Sequence, residues 1–257
     1  MDEKTGKLQA DKKKRNSRGY FDFTIASDDI ARETQCGQFL HINCGESTFL
    51  RRPISICDAH NGEVRFIFEV KGEGTKALAK KEIGDYIDVM GPLGHGFEIK
   101  PSVTKPIIIG GGIGVFPLYK LAKDLGNNAT VFLGFRNQSR VVMENEFEAA
   151  SALTIVGTDD GSYGYNGYIA AAMEGYLRMN DCDMIYSCGP MPMLKAVKKI
   201  AEVRDIPCQL SLEQRMGCGI GACLVCSCET NKEGTDRYAK VCTNGPVFYS
   251  KEVTLND

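Results

Sequence analysis

Pro106-Ile107-Ile108-Ile109-Gly110-Gly111-Gly112-Ile113-Gly114-Val115-Phe116-Pro117 passes from an unbroken apolar run directly into a cluster of glycines. An apolar run without polar alternation is the pattern of a strand buried on both faces of a parallel sheet. Glycines at its carboxyl end let a backbone turn approach a pyrophosphate, with the following helix N-terminus behind it. The stretch departs from the GxGxxG fingerprint because Val115 stands where the last glycine would be. A tight packing turn explains the same residues. A second turn of this kind is Ser187-Cys188-Gly189-Pro190, at the end of the apolar run from Asp183 and just ahead of the periodic stretch Met191 to Val203. Two such turns on one carboxyl edge point to a dinucleotide site.

Working outward, strand-like runs at Thr130 to Phe135 and Leu153 to Gly157 alternate with helix-like runs at Val115 to Leu125 and Tyr168 to Met179. That alternation predicts an α/β nucleotide-binding domain over 101–205. Upstream the pattern changes to short alternating stretches, Tyr20 to Thr24, Gly37 to Asn43, Glu63 to Lys71 and Tyr86 to Met90, separated by polar or glycine-rich turns. These predict a small antiparallel β-barrel over 1–100. The basic run Asp11-Lys12-Lys13-Lys14-Arg15 reads as a solvated edge or hairpin turn, because it is one isolated cluster with no aromatic interleaving.

The chain has 257 residues, with 31 basic and 33 acidic side chains and a formal net charge of −2, which gives no support for nucleic-acid binding. Eleven cysteines without an apolar leader suit metal binding in a reducing cytoplasm better than disulfides. The longest apolar-looking run, Pro106 to Leu118, is glycine-interrupted and too short to cross a bilayer, so no membrane association is expected.

The last segment, 206–257, follows neither pattern and holds Cys218-Gly219-Ile220-Gly221-Ala222-Cys223-Leu224-Val225-Cys226, completed by Cys242. The Cx4Cx2C spacing with a distant fourth cysteine matches [2Fe-2S] sites of the plant type. Glycines at 217, 219 and 221 let the backbone wrap closely around such a group. A zinc knuckle is the competing reading, since four thiolates also suit tetrahedral zinc, and unliganded core thiols are a third. Cys228 would point away from the first three ligands in an extended chain and is left out of the set.

In the barrel half, Arg51-Arg52-Pro53-Ile54-Ser55-Ile56 places a fixed-φ proline between a guanidinium and a hydroxyl, a combination suited to a phosphate and a small polar contact. Gly72-Glu73-Gly74-Thr75 offers a turn and a helix start whose N–H groups and hydroxyl suit a second phosphate contact. Each of these alone is as readily an exposed strand or a cap.

Taken in order, these stretches resemble the electron-transfer subunits of the class B dihydroorotate dehydrogenases, a branch of the ferredoxin-reductase-like flavoproteins. The resemblance is carried by Arg52-Pro53-Ile54-Ser55, Gly72-Glu73-Gly74-Thr75, Gly91-Pro92-Leu93-Gly94, Gly111-Gly112-Ile113-Gly114, Thr158-Asp159-Asp160-Gly161-Ser162-Tyr163-Gly164, Cys188-Gly189-Pro190 and the cysteine tail ending Gly245-Pro246-Val247-Phe248. It implies that Arg52, Pro53, Ile54 and Ser55 hold FAD, that Glu69, Val70 and Lys71 run beside the flavin, and that Gly74 and Thr75 meet the pyrophosphate. Gly111, Gly112, Ile113, Gly114, Gly189 and Pro190 would form the NAD side, with Cys188 bordering the nicotinamide as the catalytic residue. Cys218, Cys223, Cys226 and Cys242 would ligate [2Fe-2S].

The implied partner is an FMN-containing dihydroorotate dehydrogenase catalytic subunit, in a heterotetramer of two of each chain. Leu224, Val225, Pro246, Val247 and Phe248 are the apolar residues near the cysteines that suit its docking. Electrons from dihydroorotate would reach NAD+ through this subunit in pyrimidine biosynthesis. The chain departs from the family in having Cys36 where a proline usually precedes Gly37-Gln38-Phe39, which would loosen the entry to that strand. Only fifteen residues lie between Cys226 and Cys242, so the likeness is to the reductase-linked form of the cluster rather than to a free ferredoxin. An iron-sulfur reductase subunit serving a sulfite reductase, hydrogenase or transhydrogenase is the alternative within enzymes. A redox sensor or zinc-stabilised binding module is the alternative outside them. Arg136 and Arg140 leave NADP open on the residues alone, while the resemblance favours NAD.

Overall fold

The structure is a computed structural model that describes residues 5–15, 19–45, 48–231 and 237–255. Two compact units account for the chain. The first takes 1–96, 213–228 and 239–246, and the second 97–212, 229–238 and 247–257. The segment expected as a cluster-binding tail, 206–257, is thus distributed over both.

The first unit is built on β1 (Thr5–Arg15), β2 (Tyr20–Ala26), α1 (Asp28–Glu33), β3 (Phe39–Asn43), β4 (Arg52–His60), β5 (Glu63–Glu69), α2 (Glu73–Leu78) and β6 (Tyr86–Leu93). The six strands close into a barrel in the order β1-β2-β5-β4-β3-β6, every pair antiparallel. Alternation along the strands fills the interior with Phe23, Ile25, Leu40, Ile42, Ile56, Val64, Phe66 and Val89, all buried. The Phe23 and Phe66 rings stack there with centroids 5.7 Å apart. The basic run is not a turn. It is the second half of β1, paired to β2 through Lys12, Lys13, Lys14 and Arg15. Lys13 lies over the Phe21 and Phe23 rings and its Nζ reaches Glu82 at 2.8 Å, while Lys12 pairs with Glu63. Long basic stems cover aromatic surface while their charges stay in water, so a strand can carry such a run.

The second unit contains β7 (Pro106–Gly111), α3 (Leu118–Leu125), β8 (Thr130–Phe135), α4 (Glu144–Ala150), β9 (Leu153–Thr158), β10 (Tyr165–Asn166), α5 (Ile169–Tyr176), β11 (Met184–Cys188), α6 (Met191–Val203) and β12 (Cys208–Ser211). Two short strands that the unit boundaries divide, β13 (Ser227–Glu229) and β14 (Tyr238–Lys240), pair with each other, and β15 (Val247–Tyr249) belongs to the second unit. The sheet order is β10-β9-β8-β7-β11-β12-β15, parallel throughout except for β15, which is antiparallel to β12. Crossover helices face this sheet, as a parallel sheet with two covered faces requires. Ile107, Ile108, Ile109, Val131, Phe132 and Leu133 are accordingly at most 1% exposed. No helix among the described residues is long and apolar enough to cross a membrane.

Candidate redox site

The cysteine segment of the first unit holds its thiols as two pairs. The Cys218 N–H donates to Cys223 Sγ and the Cys223 N–H to Cys218 Sγ, both at 3.4 Å. In the other pair the Cys242 N–H donates to Cys226 Sγ, also at 3.4 Å. Cys226 and Cys242 are 2% and 1% exposed, whereas Cys223 is exposed and Cys218 half-buried. The loop closes because Gly219 (φ +75°), Gly221 (φ +81°) and Leu224 (φ +60°) take left-handed backbone. Such backbone turns successive N–H groups inward, and glycine adopts it without a steric cost. Lys240 Nζ ties the loop down through the Gly221 carbonyl at 2.8 Å.

Burial pushes the Cys218 thiol up, but the N–H groups of Ile220 and Cys223, the Cys223 thiol and the Ala222 N–H outweigh it and bring it down to about 7. Burial, joined by the Cys226 thiol, pushes Cys242 up to about 11 against the Gly221 N–H. Among the described residues no three His, Cys, Asp or Glu side chains converge to hold one ion. The N–H···S bonds link Cys218 with Cys223 and Cys226 with Cys242, a grouping that suits a dinuclear centre with two thiolates on each iron. Backbone N–H groups aimed at sulfur are the donors such a group needs, so the residues present fit it. Cys228, on β13, is buried, and burial raises its thiol.

Sequence reasoning missed His41. On β3, Leu40 and Ile42 face the barrel core, and strand alternation turns Phe39 and His41 the other way. Phe39 and His41 are nevertheless 3% and 0% exposed. A Cβ on Gly219 would stand 2.5 Å from His41 Nδ1, so the cysteine loop lies directly on the ring. Among the described residues, no group meets hydrogen-bond geometry at either ring nitrogen. A buried polar group left so costs about 1–3 kcal/mol. Burial first and the Arg51 guanidinium second bring the imidazole down to about 4, against nearby Arg51 and Cys218 backbone, so the ring is neutral. The available signal was a histidine in an apolar strand at a position whose alternate neighbour, Phe39, also demanded cover.

Arg52 opens β4, and Pro53, Ile54 and Ser55 follow it, each half-buried and paired with His41, Leu40 and Phe39 of β3. Arg51 is committed to Asp88 by two 2.9 Å bonds. Arg52 has no carboxylate partner among the described residues and donates to the carbonyls of Leu50 and Arg51. Its guanidinium lies on Gly74, where a Cβ would come 2.8 Å from Nε, so residues 52 and 74 do meet. A guanidinium without a carboxylate, set over a glycine at a helix start, has the chemistry to accept a phosphate. The Thr75 hydroxyl already caps its own turn, accepting from the N–H groups of Lys71 (2.9 Å) and Gly72 (3.2 Å). Glu69 ends β5, and Val70 and Lys71 follow it, both exposed.

In the second unit, Gly110 on β7 pairs with Cys188 on β11, which sets the two glycine turns side by side at one carboxyl edge. A Cβ on Gly114 would stand 2.5 Å from the Cys188 carbonyl oxygen. One on Gly111 would stand 2.9 Å from Pro190 Cδ, and one on Gly189 would stand 3.0 Å from the Gly111 nitrogen. Gly111, Gly114 and Gly189 therefore let the turns pack on each other. Gly112 (φ +55°) meets nothing within 4 Å and is the position open to a ligand. Ile113, Cys188 and Gly189 are half-buried and Pro190 exposed. On the same edge, Asp160 accepts from the Ser162 hydroxyl (2.6 Å) and N–H (3.0 Å), and Thr158 Oγ1 donates to the Tyr163 carbonyl at 2.8 Å. The expected apolar rim divides. Leu224 and Val225 are 60% and 53% exposed, and Ile220, which was not among the expected residues, is 60% exposed, whereas Val247 and Phe248 are both 8% exposed because β15 joins the sheet, and Pro246 is buried.

Residues 213–254 match the family described as the iron-sulfur cluster binding domain of dihydroorotate dehydrogenase B, and 108–199 the oxidoreductase NAD-binding domain. The chain is 43% identical over 244 residues to the dihydroorotate dehydrogenase B (NAD(+)) electron transfer subunit of Geobacillus thermodenitrificans, covering 91% of this chain and 93% of that one. It belongs to that family of electron transfer subunits. A Shouchella clausii member is 40% identical and covers 99% of this chain and 100% of its own. Among solved structures, an NADH-dependent reduced ferredoxin-NADP oxidoreductase described for flavin-based electron bifurcation superposes with a TM-score of 0.85 at 32% identity, covering 97% of this chain and 90% of that one. The cytochrome b5 reductase domain of Ulva prolifera nitrate reductase, at 19% identity and a TM-score of 0.64 over 77% of this chain and 94% of its own, shares the fold. The architecture is ferredoxin-reductase-like: a six-stranded antiparallel barrel, an α/β nucleotide-binding domain and a C-terminal cluster-binding segment.

Proposed function

We propose that this chain is the electron-transfer subunit of a class B dihydroorotate dehydrogenase, linking an FMN-bearing catalytic subunit to NAD+ in pyrimidine biosynthesis. FAD, a [2Fe-2S] centre and NAD together supply the exchange between single electrons and a two-electron hydride. The observation that carries the reading is the arrangement of the four thiols. They stand in two pairs with backbone N–H groups on sulfur, within a chain that also sets two glycine turns on one carboxyl edge.

The residues divide the work. Cys218, Cys223, Cys226 and Cys242 hold the cluster. Arg52, backed by Gly74, binds FAD phosphate, and Pro53, Ile54 and Ser55 border the flavin with Glu69, Val70 and Lys71, while Thr75 fixes the turn beneath the phosphate. Gly112 and Ile113 receive NAD where Gly111, Gly114, Gly189 and Pro190 hold the turns together, and Cys188 borders the nicotinamide. The exposed Ile220, Leu224 and Val225 beside the solvent-facing thiol pair form the apolar centre of the contact with the catalytic subunit. The assembly contains two copies of each chain about a two-fold axis.

The test is coexpression with the FMN-binding subunit and anaerobic mixing of the isolated complex with dihydroorotate and NAD+. Cluster reduction followed by NADH formation is the expected result. A chain loaded with FAD and cluster that neither binds that subunit nor accepts its electrons would overturn the assignment.

A further inference from the structure

His41 is fully buried, and among the described residues no group meets hydrogen-bond geometry at either of its ring nitrogens. On the barrel side no side chain completes it. The register partner on β4 is Pro53 and that on β6 is Met90, neither with a strong acceptor side chain. The charged groups acting on it are Arg51 and Arg52, whose guanidinium groups can only donate. Arg51 spends its donors on Asp88 and on the carbonyls of His41 and Asp88. The backbone of Arg51 and of Cys218 acts on the ring as an acceptor would and offsets part of the fall in its pKa, but neither reaches hydrogen-bond geometry at a ring nitrogen. The remaining side is the cysteine loop. A Cβ on Gly219 would be 2.5 Å from Nδ1 but 3.2 Å from Cε1 and Cγ, so the ring presents its Nδ1 edge to that loop. Gly219 adjoins Cys218, and any larger residue there would push the loop off the ring.

We propose that His41 is a positioning residue of the one-electron centre, its imidazole N–H donating a hydrogen bond to a sulfur of the cluster that Cys218, Cys223, Cys226 and Cys242 hold. This rests on the cluster reading above. An imidazole carries at least one N–H in either protonation state, so the role needs no titration. Hydrogen bonds to cluster sulfurs stabilise the more negative reduced form and raise its potential. Through the His41–Pro53 pairing, the same residue joins the cluster loop to the strand that begins with Arg52.

The chain has three histidines, so labelling is nearly residue-specific. The protein is grown with ring-15N histidine, loaded with cluster, reduced, and examined by pulsed electron paramagnetic resonance for 15N coupling to the cluster spin. A resolved coupling is expected, unchanged in His95→Gln and lost in His41→Leu. The cluster midpoint potential should fall in His41→Leu and be restored more fully by His41→Asn, whose amide nitrogen occupies the Nδ1 position, than by His41→Gln. Absence of ring-15N coupling in fully loaded wild-type protein overturns the proposal, even if the leucine variant fails to assemble. An unchanged potential in a loaded His41→Leu protein overturns it equally. A wild-type chain that assembles no iron and sulfide refutes the cluster reading itself.

Discussion

Replacing Gly219 by alanine perturbs the cysteine loop in two separable ways. The backbone at Gly219 has φ +75°. An L side chain in that left-handed region meets a penalty of about 1–2 kcal/mol. Its Cβ would also stand 2.5 Å from Nδ1 of the fully buried His41. Overpacking of that kind costs about 1–3 kcal/mol. Together the two disfavour the closed loop by roughly 2–5 kcal/mol, a factor of about thirty to several thousand in its population. Gly221→Ala carries the same backbone penalty at φ +81°, but its Cβ would meet the Thr243 side chain at 3.0 Å, an end that can rotate away. It should cost only about 1–2 kcal/mol. The assay is iron and acid-labile sulfide per FAD in anaerobically purified protein, with the rate of iron loss to a chelator. Gly219→Ala should lose iron far faster than Gly221→Ala, and a double-mutant cycle with His41→Ala should recover the steric part alone. Wild-type iron content and chelation rate in Gly219→Ala, or a worse defect in Gly221→Ala, would refute the reasoning.

Arg52→Ala removes a charge-assisted contact of about 1.5–3 kcal/mol, so FAD affinity of the apoprotein should fall roughly ten- to a hundred-fold in a titration; an unchanged affinity removes Arg52 from the site. Cys228→Ala should keep full iron and sulfide and lower stability by about 1 kcal/mol, the common cost of a single substitution. Loss of the cluster from that variant would contradict the ligand set.

The sequence displayed the second unit more openly than the first. Pro106–Gly111 throughout and Thr130–Phe135 after its first residue are apolar because helices cover both faces of a parallel sheet, and Met191–Val203 shows helical periodicity because one face is buried. The basic half of β1 concealed a strand, since its lysines pack by their stems and no residue-level pattern records that. The three-residue β15 was hidden for a different reason. It joins β12, whose residues lie 36 or more positions earlier in the chain, and a pairing so distant leaves no local signature. In the site, the cysteine spacing was legible because metal ligation fixes it. His41 was not, since its importance arises from a glycine brought to it by tertiary folding.

The allocation of the last fifty residues also decides how this polypeptide can be taken apart. The chain leaves the barrel unit after Gly96, returns at Glu213, departs again after Cys228, comes back at Ala239 and ends in the sheet from Val247. Cys226 and Cys242, one thiol pair, therefore stand on either side of an excursion into the other unit. A single cut cannot release an intact four-cysteine module with its supporting barrel, and a stop codon placed after Cys242 removes the strand that edges the sheet. In recombination terms the cluster is woven in rather than appended. Exchanging it with that of a relative means grafting two loops into a host, not joining one domain to another.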